Sequence, residues 1–372
     1  MSAVALDGLD VRSLSSVPSP VADALMAKGV QTLGDIVQNS AFVPDVLEQL
    51  HVSNVEARSS ALMQACKREA ATSWGGTSNS ARDLLRKAQT QPRIQLPCAE
   101  IDKLLGNALR PGAGLLEICG LPGAGKTQFC LQLCAAAQLG ESAQSSTSIS
   151  FQPEEAVFID TEGSFVPTRY AQVCAVMLSN RVAVKQEVPS EHPQGGLLET
   201  TLRRMHVCRA FDAAELYATV KNMGAFLQKH PKVRVLAVDS IAFCFRHELT
   251  EDVGQRVRLL TDIAATLRGY ATKYNVLVAV TNHMTTKFDR SANGFDEELA
   301  WLAPALGETW AHQPTTQMRL ERSSLLSVNQ GGQPTGRATL TKSIEKPTGH
   351  SCLYQITEAG IRDVIALAVP CG

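Results

Sequence analysis

Residues 115–128, Leu-Leu-Glu-Ile-Cys-Gly-Leu-Pro-Gly-Ala-Gly-Lys-Thr-Gln, decide how the rest of this chain is read. An apolar run ends at Gly120, four residues intervene, and Gly125-Lys126-Thr127 opens a segment with apolar residues at helical spacing. A Gly-x-x-x-x-Gly-Lys-Thr spacing between a predicted strand and a predicted helix is that of a loop that wraps phosphates. Glycines let the backbone turn several N–H groups inward, and the helix N-terminus adds positive potential. An ammonium then neutralises the outer phosphate oxygens, and a hydroxyl reaches Mg2+. The motif predicts an ATP and Mg2+ site lined by Gly120, Leu121, Pro122, Gly123, Ala124, Gly125, Lys126, Thr127 and Gln128, with Thr127 toward the metal.

Working outward, three further apolar β-rich runs end in polar residues. Val233–Val238 ends at Asp239, a carboxylate expected beside the phosphate-loop strand and in support of the magnesium. Glu155–Asp160 is followed by Glu162, placed to polarise an attacking water, although a solvated loop acid gives the same pattern. Val276–Val280 leads into Thr281, Asn282 and His283, placed to sense the outer phosphate, although an exposed histidine at an ordinary strand exit reads equally well. These runs alternate with helical segments such as 257–274, which predicts an α/β fold: a mostly parallel sheet between two layers of helices. After Gln317, the runs Arg337–Ile344 and His350–Thr357 predict antiparallel strands added at the sheet edge. Two Ser-, Pro- and Gly-bearing stretches, 139–155 and 185–196, are expected as surface loops.

Upstream, residues 18–70 read as short helices, so 1–70 is expected to form a small all-helical N-terminal domain. Ala71–Ser80 is rich in Ser, Thr, Gly and Asn, which marks 71–93 as a linker and 94–372 as the larger domain. The chain length of 372 residues agrees with two domains, and 44% hydrophobic with 19% charged residues is a globular balance. The formal charge is −1, so nucleic acid would be gripped by local basic patches and not by the chain as a whole. Ten cysteines without a Cys-x-x-Cys pair argue for reduced, buried thiols in an intracellular protein. Cys130 and Cys134 stand at i and i+4, half of a metal site, but no second pair lies at ligand spacing. The N-terminus lacks the apolar core of a signal peptide, and no run is long enough to span a membrane, so secretion and membrane insertion are not expected.

The segments GLPGAGKTQ, FIDTEGSF, VLAVDSIAFCFRHEL, VTNHMTTK and PALGETWAH follow in that order behind the helical domain. In this combination the chain resembles the eukaryotic RecA-family DNA-repair recombinases, and within them the recombinase paralogues, most like their C branch. The resemblance implies a RecA-like P-loop ATPase core, ATP and Mg2+ as cofactors, slow DNA-stimulated hydrolysis, and work in homologous recombination and double-strand-break repair in the nucleus. It places catalysis on Glu162 and Lys126, magnesium on Thr127 and Asp239, and Arg169 against the adenine. It also gives His283 the sensor position, a first DNA loop beginning at Arg246, and a second over residues 285–303. Arg246, Arg256, Lys287 and Arg290 are the candidate DNA contacts. The implied partners are other recombinase paralogues in a hetero-oligomer, the main strand-exchange recombinase, and single-stranded or branched DNA, with no membrane.

Four departures from the family pattern shape the expected role. His283 stands where the family has glutamine. The second loop region sets Lys287 and Arg290 against Asp289, Asp296, Glu297 and Glu298, a charge that repels phosphate. No Phe-x-x-Ala stands in the linker, the sole instance being Phe211–Ala214 inside the larger domain. Residues 1–70 carry five bases against eight acids, a surface suited to protein partners. Together these favour an ATP-binding mediator subunit. A self-assembling strand-exchange recombinase, and an assembly module with ATP as structural glue, are the other two readings.

Overall fold

The computed structural model describes residues 11–13, 17–32, 35–36, 42–72, 80–82, 85–86, 92–140, 153–185, 193–245, 253–288, 300–322 and 335–364. Contacts divide the chain into two units, one up to Gln91 and one from Pro92. In the first, helices α1 (Ser19–Ala27), α2 (Phe42–Gln49) and α3 (Val55–Thr72) share a small core that includes Val21, Leu25, Ile36, Val43, Val46 and Cys66. Pro20 in the first turn of α1 suits a position whose N–H would have no helical partner, and Gly29, at φ +83°, stops the helix. Helix α3 continues to Thr72, two residues past Ala70.

The second unit is a ten-stranded sheet. Its elements are α4 (Ala99–Leu105), β1 (Leu115–Gly120), α5 (Lys126–Leu139), β2 (Glu155–Asp160), α6 (Pro167–Lys185) and α7 (Pro193–Arg203). There follow β3 (Met205–Arg209), α8 (Ala213–Lys229), β4 (Val233–Asp239), α9 (Val253–Tyr274), β5 (Leu277–Phe288) and β6 (Ala300–Pro304). The last are α10 (Gly307–Ala311), β7 (Thr316–Arg322), β8 (Thr335–Lys342), β9 (Ser351–Thr357) and β10 (Gly360–Asp363). The order is β10-β9-β8-β7-β1-β5-β4-β2-β3, with β6 paired to the end of β5. Strands β7, β1, β5, β4, β2 and β3 run parallel, and β7 to β10 pair antiparallel, the edge addition the sequence predicts.

Alternation along the strands builds the two faces. Leu116, Ile118, Phe158 and Ala237 join a core with α5 and α6, while Leu115, Val157, Ile159 and Val238 join another with α8 and α9. Helix α5 is buried along most of its length, and the Cys130 and Cys134 thiols pack within the core. Among the described residues no helix is long and apolar enough to cross a membrane.

The structure corrects several expectations. The Pro193–Gly196 stretch opens α7 and is not a loop, because proline's fixed φ fits the first helical turn. The intervening 186–192, and 141–152 of the other predicted loop, lie outside the described residues. Strand β3, unforeseen, closes the sheet. The Asp239 strand is not next to the phosphate-loop strand: β5 lies between them. Arg256 belongs to α9, not to a loop. The ends of the second predicted DNA loop are strands, with Lys287 in β5 opposite Trp301 in β6.

Candidate functional site

The phosphate loop runs from the end of β1 to the start of α5, at the carboxyl edge of the parallel strands where open α/β sheets build their sites. Gly123 and Gly125 have φ of +80° and +98°, backbone that L side chains rarely adopt. At Gly125 a Cβ would also come within 2.8 Å of the Ile356 side chain on β9. Strand β9 braces the loop a second time, as the Tyr354 hydroxyl donates to the Ala124 carbonyl at 2.5 Å. The Lys126 ammonium is folded into the loop, donating to the carbonyls of Gly120 (2.9 Å) and Leu121 (3.2 Å). Burial lowers its pKa against the opposing pull of Asp239 and Glu162.

Thr127 donates its hydroxyl to Asp239 Oδ2 at 2.6 Å, joining the first turn of α5 to the end of β4. Asp239 is buried and also accepts from Ser164 (3.2 Å) and from Thr281 on β5. Burial pushes its carboxyl up, opposed by these hydroxyls. Asp160 accepts from the backbone N–H groups of Ser164 (2.9 Å) and Phe165 (3.2 Å), shaping the turn that carries Glu162, with Gly163 at φ +70°. Glu162 and His283 meet at 2.5 Å, imidazole Nε2 to carboxylate Oε1. His283 is therefore neither exposed nor at an idle strand exit; it is 7% accessible and pairs with the predicted catalytic carboxylate. Burial alone would raise the Glu162 carboxyl, but hydrogen bonds from His283 and Ser240, with the charge of Lys126, hold it below the ordinary range. Among the described residues the other ring nitrogen of His283 is buried with no hydrogen-bond partner.

Thr127 is thus bonded to Asp239 and His283 to Glu162, and both carboxylates act on the Lys126 charge, while the other predicted residues sit as follows. Gln128 Oε1 accepts from Arg169 Nε at 2.8 Å, and the same guanidinium donates to the carbonyls of Thr357 (2.7 Å) and Glu358 (2.6 Å). Arg169 thereby fastens the β9–β10 hairpin to the phosphate-loop helix. Arg256 lines a separate cavity of about 260 Å³ with Leu260, Leu306, Glu308 and Trp310. Arg246 and Arg290 lie outside the described residues, and of Lys287 the structure describes the backbone.

Sequence reasoning missed Glu117. This carboxylate in the middle of β1 is wholly buried and accepts from Asn282 (2.7 Å), Trp310 (2.7 Å) and Gln317 (2.6 Å). It fixes β5 to β1 at Asn282, one residue before His283. The signal was one acid inside an otherwise apolar run.

The donor set fits Mg2+-ATP on its own geometry: a glycine-shaped loop, a buried ammonium turned into it, and a hydroxyl held by a carboxylate. A model of the Rad51 family matches residues 87–364. "DNA repair protein RAD51 homolog 3" of Cricetulus griseus is 33% identical over 96% of this chain and 93% of its own length. The protein of the same name in Dictyostelium discoideum is 32% identical, covering 77% of this chain and 69% of its own. "DNA repair and recombination protein RadA" of Methanococcus voltae is 27% identical over 76% of this chain and 80% of its own. Among solved structures, the RadB recombinase superposes with a TM-score of 0.51 at 22% identity, covering 73% of this chain and all of that one, a likeness of fold.

Proposed function

The chain belongs to the Rad51 family, and from that premise we propose that it is a recombination and DNA-repair ATPase, acting as a mediator subunit in a hetero-oligomer of recombinase paralogues. The observation that carries the catalytic part is the meeting of Lys126, Thr127, Asp239, Glu162 and His283 at one edge of the sheet. Bound Mg2+-ATP supplies the transferable phosphoryl group and a metal that offsets its charge. The loop amides and Lys126 would hold the β and γ phosphates, and Thr127, oriented by Asp239, would offer its hydroxyl to the metal. The hydrogen bonds from His283 and Ser240 keep Glu162 ionised and aimed, which suits a group that orients the attacking water, at the cost of weaker basicity toward its proton. His283 positions that carboxylate, and any movement of β5 on phosphate loss would pull on it directly. Arg169 presents the face of a guanidinium for stacking with an adenine while its edge holds the hairpin.

The acidic second loop and the absence of a linker Phe-x-x-Ala support the mediator role over self-assembly. Nuclear residence and contact with DNA and with the main recombinase belong to the same reading. The test separates binding from turnover. Lys126→Ala should weaken a fluorescent ATP analogue at least tenfold, and Glu162→Gln should leave that binding within about threefold while cutting hydrolysis on the order of 100-fold. Undiminished hydrolysis in Glu162→Gln would remove the catalytic assignment.

A further inference from the structure

At the opposite end of β2 from the nucleotide site, three side chains converge. Glu155 opens β2 at an irregularity in its pairing with β4, His206 lies on the edge strand β3, and His230 ends α8. One carboxylate oxygen, Glu155 Oε2, faces His206 Nε2 at 2.8 Å and His230 Nδ1 at 2.8 Å. Among the described residues this is the sole group of three such side chains whose donor atoms all lie within 4.8 Å of one another. Phe226, one turn back on α8, holds both imidazoles: the His230 ring stacks on it at 4.1 Å and 13°, and the His206 ring meets it edge-on at 5.0 Å. The rings are therefore positioned by packing and not by the carboxylate alone.

We propose that Glu155, His206 and His230 form a binding site for a divalent transition metal of the zinc class, separate from the nucleotide's magnesium. Two imidazole nitrogens and one carboxylate oxygen are the donors that Zn2+ takes at about 2.0–2.2 Å, and in a tetrahedral site such donors stand about 3.3 Å apart. An opening of roughly half an ångström between Glu155 and each ring meets that spacing. All three residues are partly exposed, which leaves a fourth position open to water or to a group from another molecule. A hard Mg2+ ion prefers oxygen donors, so the two sites select different ions. Five residue steps along β2 separate Glu155 from Asp160, roughly 16 Å at the rise of a strand. A metal here would tie the sheet's edge strand to the end of α8.

The experiment uses the full-length chain stripped with a chelator and titrated with Zn2+ against a chromophoric competitor. One ion per chain should bind, His206→Asn and His230→Gln should each weaken it at least tenfold, and the melting temperature should rise with zinc in the parent protein and not in the variants. Binding of the fluorescent ATP analogue should be the same in parent and variants, which keeps this test distinct from the nucleotide reading. X-ray absorption of the parent zinc complex is the second measurement, independent of variant folding: light-atom ligands near 2.0–2.1 Å are expected. Zinc affinity unchanged in both variants, a sulfur shell near 2.3 Å, or no binding at about 100 µM zinc would each overturn the site.

Discussion

Glu117 ties three elements to the phosphate-loop strand through one buried carboxylate. Three donors from β5, α10 and β7 converge on this wholly buried carboxylate, so Glu117→Ala leaves the buried Asn282 and Trp310 donors without their acceptor. The expected loss is on the order of 3–5 kcal/mol by chemical denaturation, with Glu117→Gln milder because one carbonyl oxygen survives. The contrast with Lys126 shows what a sequence reveals at this scale. Lys126 and Thr127 stand in a contiguous motif whose spacing is itself the chemistry, and Glu162 and Asp239 end apolar runs that announce strands. Glu117 has partners some 165 to 200 residues away, and no local pattern marks them. The pairing of His283 with Glu162 is of the same kind: both residues were legible as candidates, their contact was not, because it depends on β5 and β2 lying on either side of β4.

At the scale of elements, α4 shows how a helix can be started by a distant strand. Its own N-cap residue, Cys98, makes no side-chain cap, and Asp363 of β10 instead accepts from the backbone N–H groups of Ala99 (2.8 Å) and Glu100 (2.9 Å) and from the Cys98 thiol (3.1 Å). Burial alone would raise the Asp363 carboxyl, but these donors hold it below the ordinary range. A depressed folded pKa means that this stabilisation is complete above about pH 4 and is lost as the pH falls through the lower, folded value. Asp363→Ala should therefore cost about 1 kcal/mol at neutral pH and progressively less toward strong acid, as read from denaturation midpoints at a series of pH values. The strands that alternate or run apolar were readable from sequence, and so was α5. Strand β3 was not: Met205-His-Val-Cys-Arg209 is short and half-exposed at the sheet's end, where no second neighbour imposes a pattern. The opening of α7 was hidden for a different reason, since proline and two glycines advertise a loop even where they begin a helix.

Over the whole molecule, every residue of the nucleotide site belongs to the unit from Pro92 onward, whose cores are distinct from that of residues 11–72. Residues 92–372 expressed alone should bind the fluorescent ATP analogue within about threefold of the full chain; loss of binding with retained circular dichroism would mean that the helical unit contributes to the site. Light scattering of the full chain with Mg2+-ATP and single-stranded DNA should give a discrete mass, since a repeating head-to-tail array needs two complementary faces. Continuous growth in mass would favour the self-assembling recombinase. The antiparallel edge strands were legible in the sequence, but the closing of β9 over the phosphate loop was not, because it joins segments more than 200 residues apart. That closure has a meaning for inheritance. A stop codon between Thr127 and Tyr354 leaves the whole Gly-x-x-x-x-Gly-Lys-Thr motif in the product, yet removes the Tyr354 hydroxyl that donates to Ala124, the side chain packed near Gly125 and the carbonyls that hold Arg169. Such an allele, intact by motif, should behave genetically as a null for ATP binding.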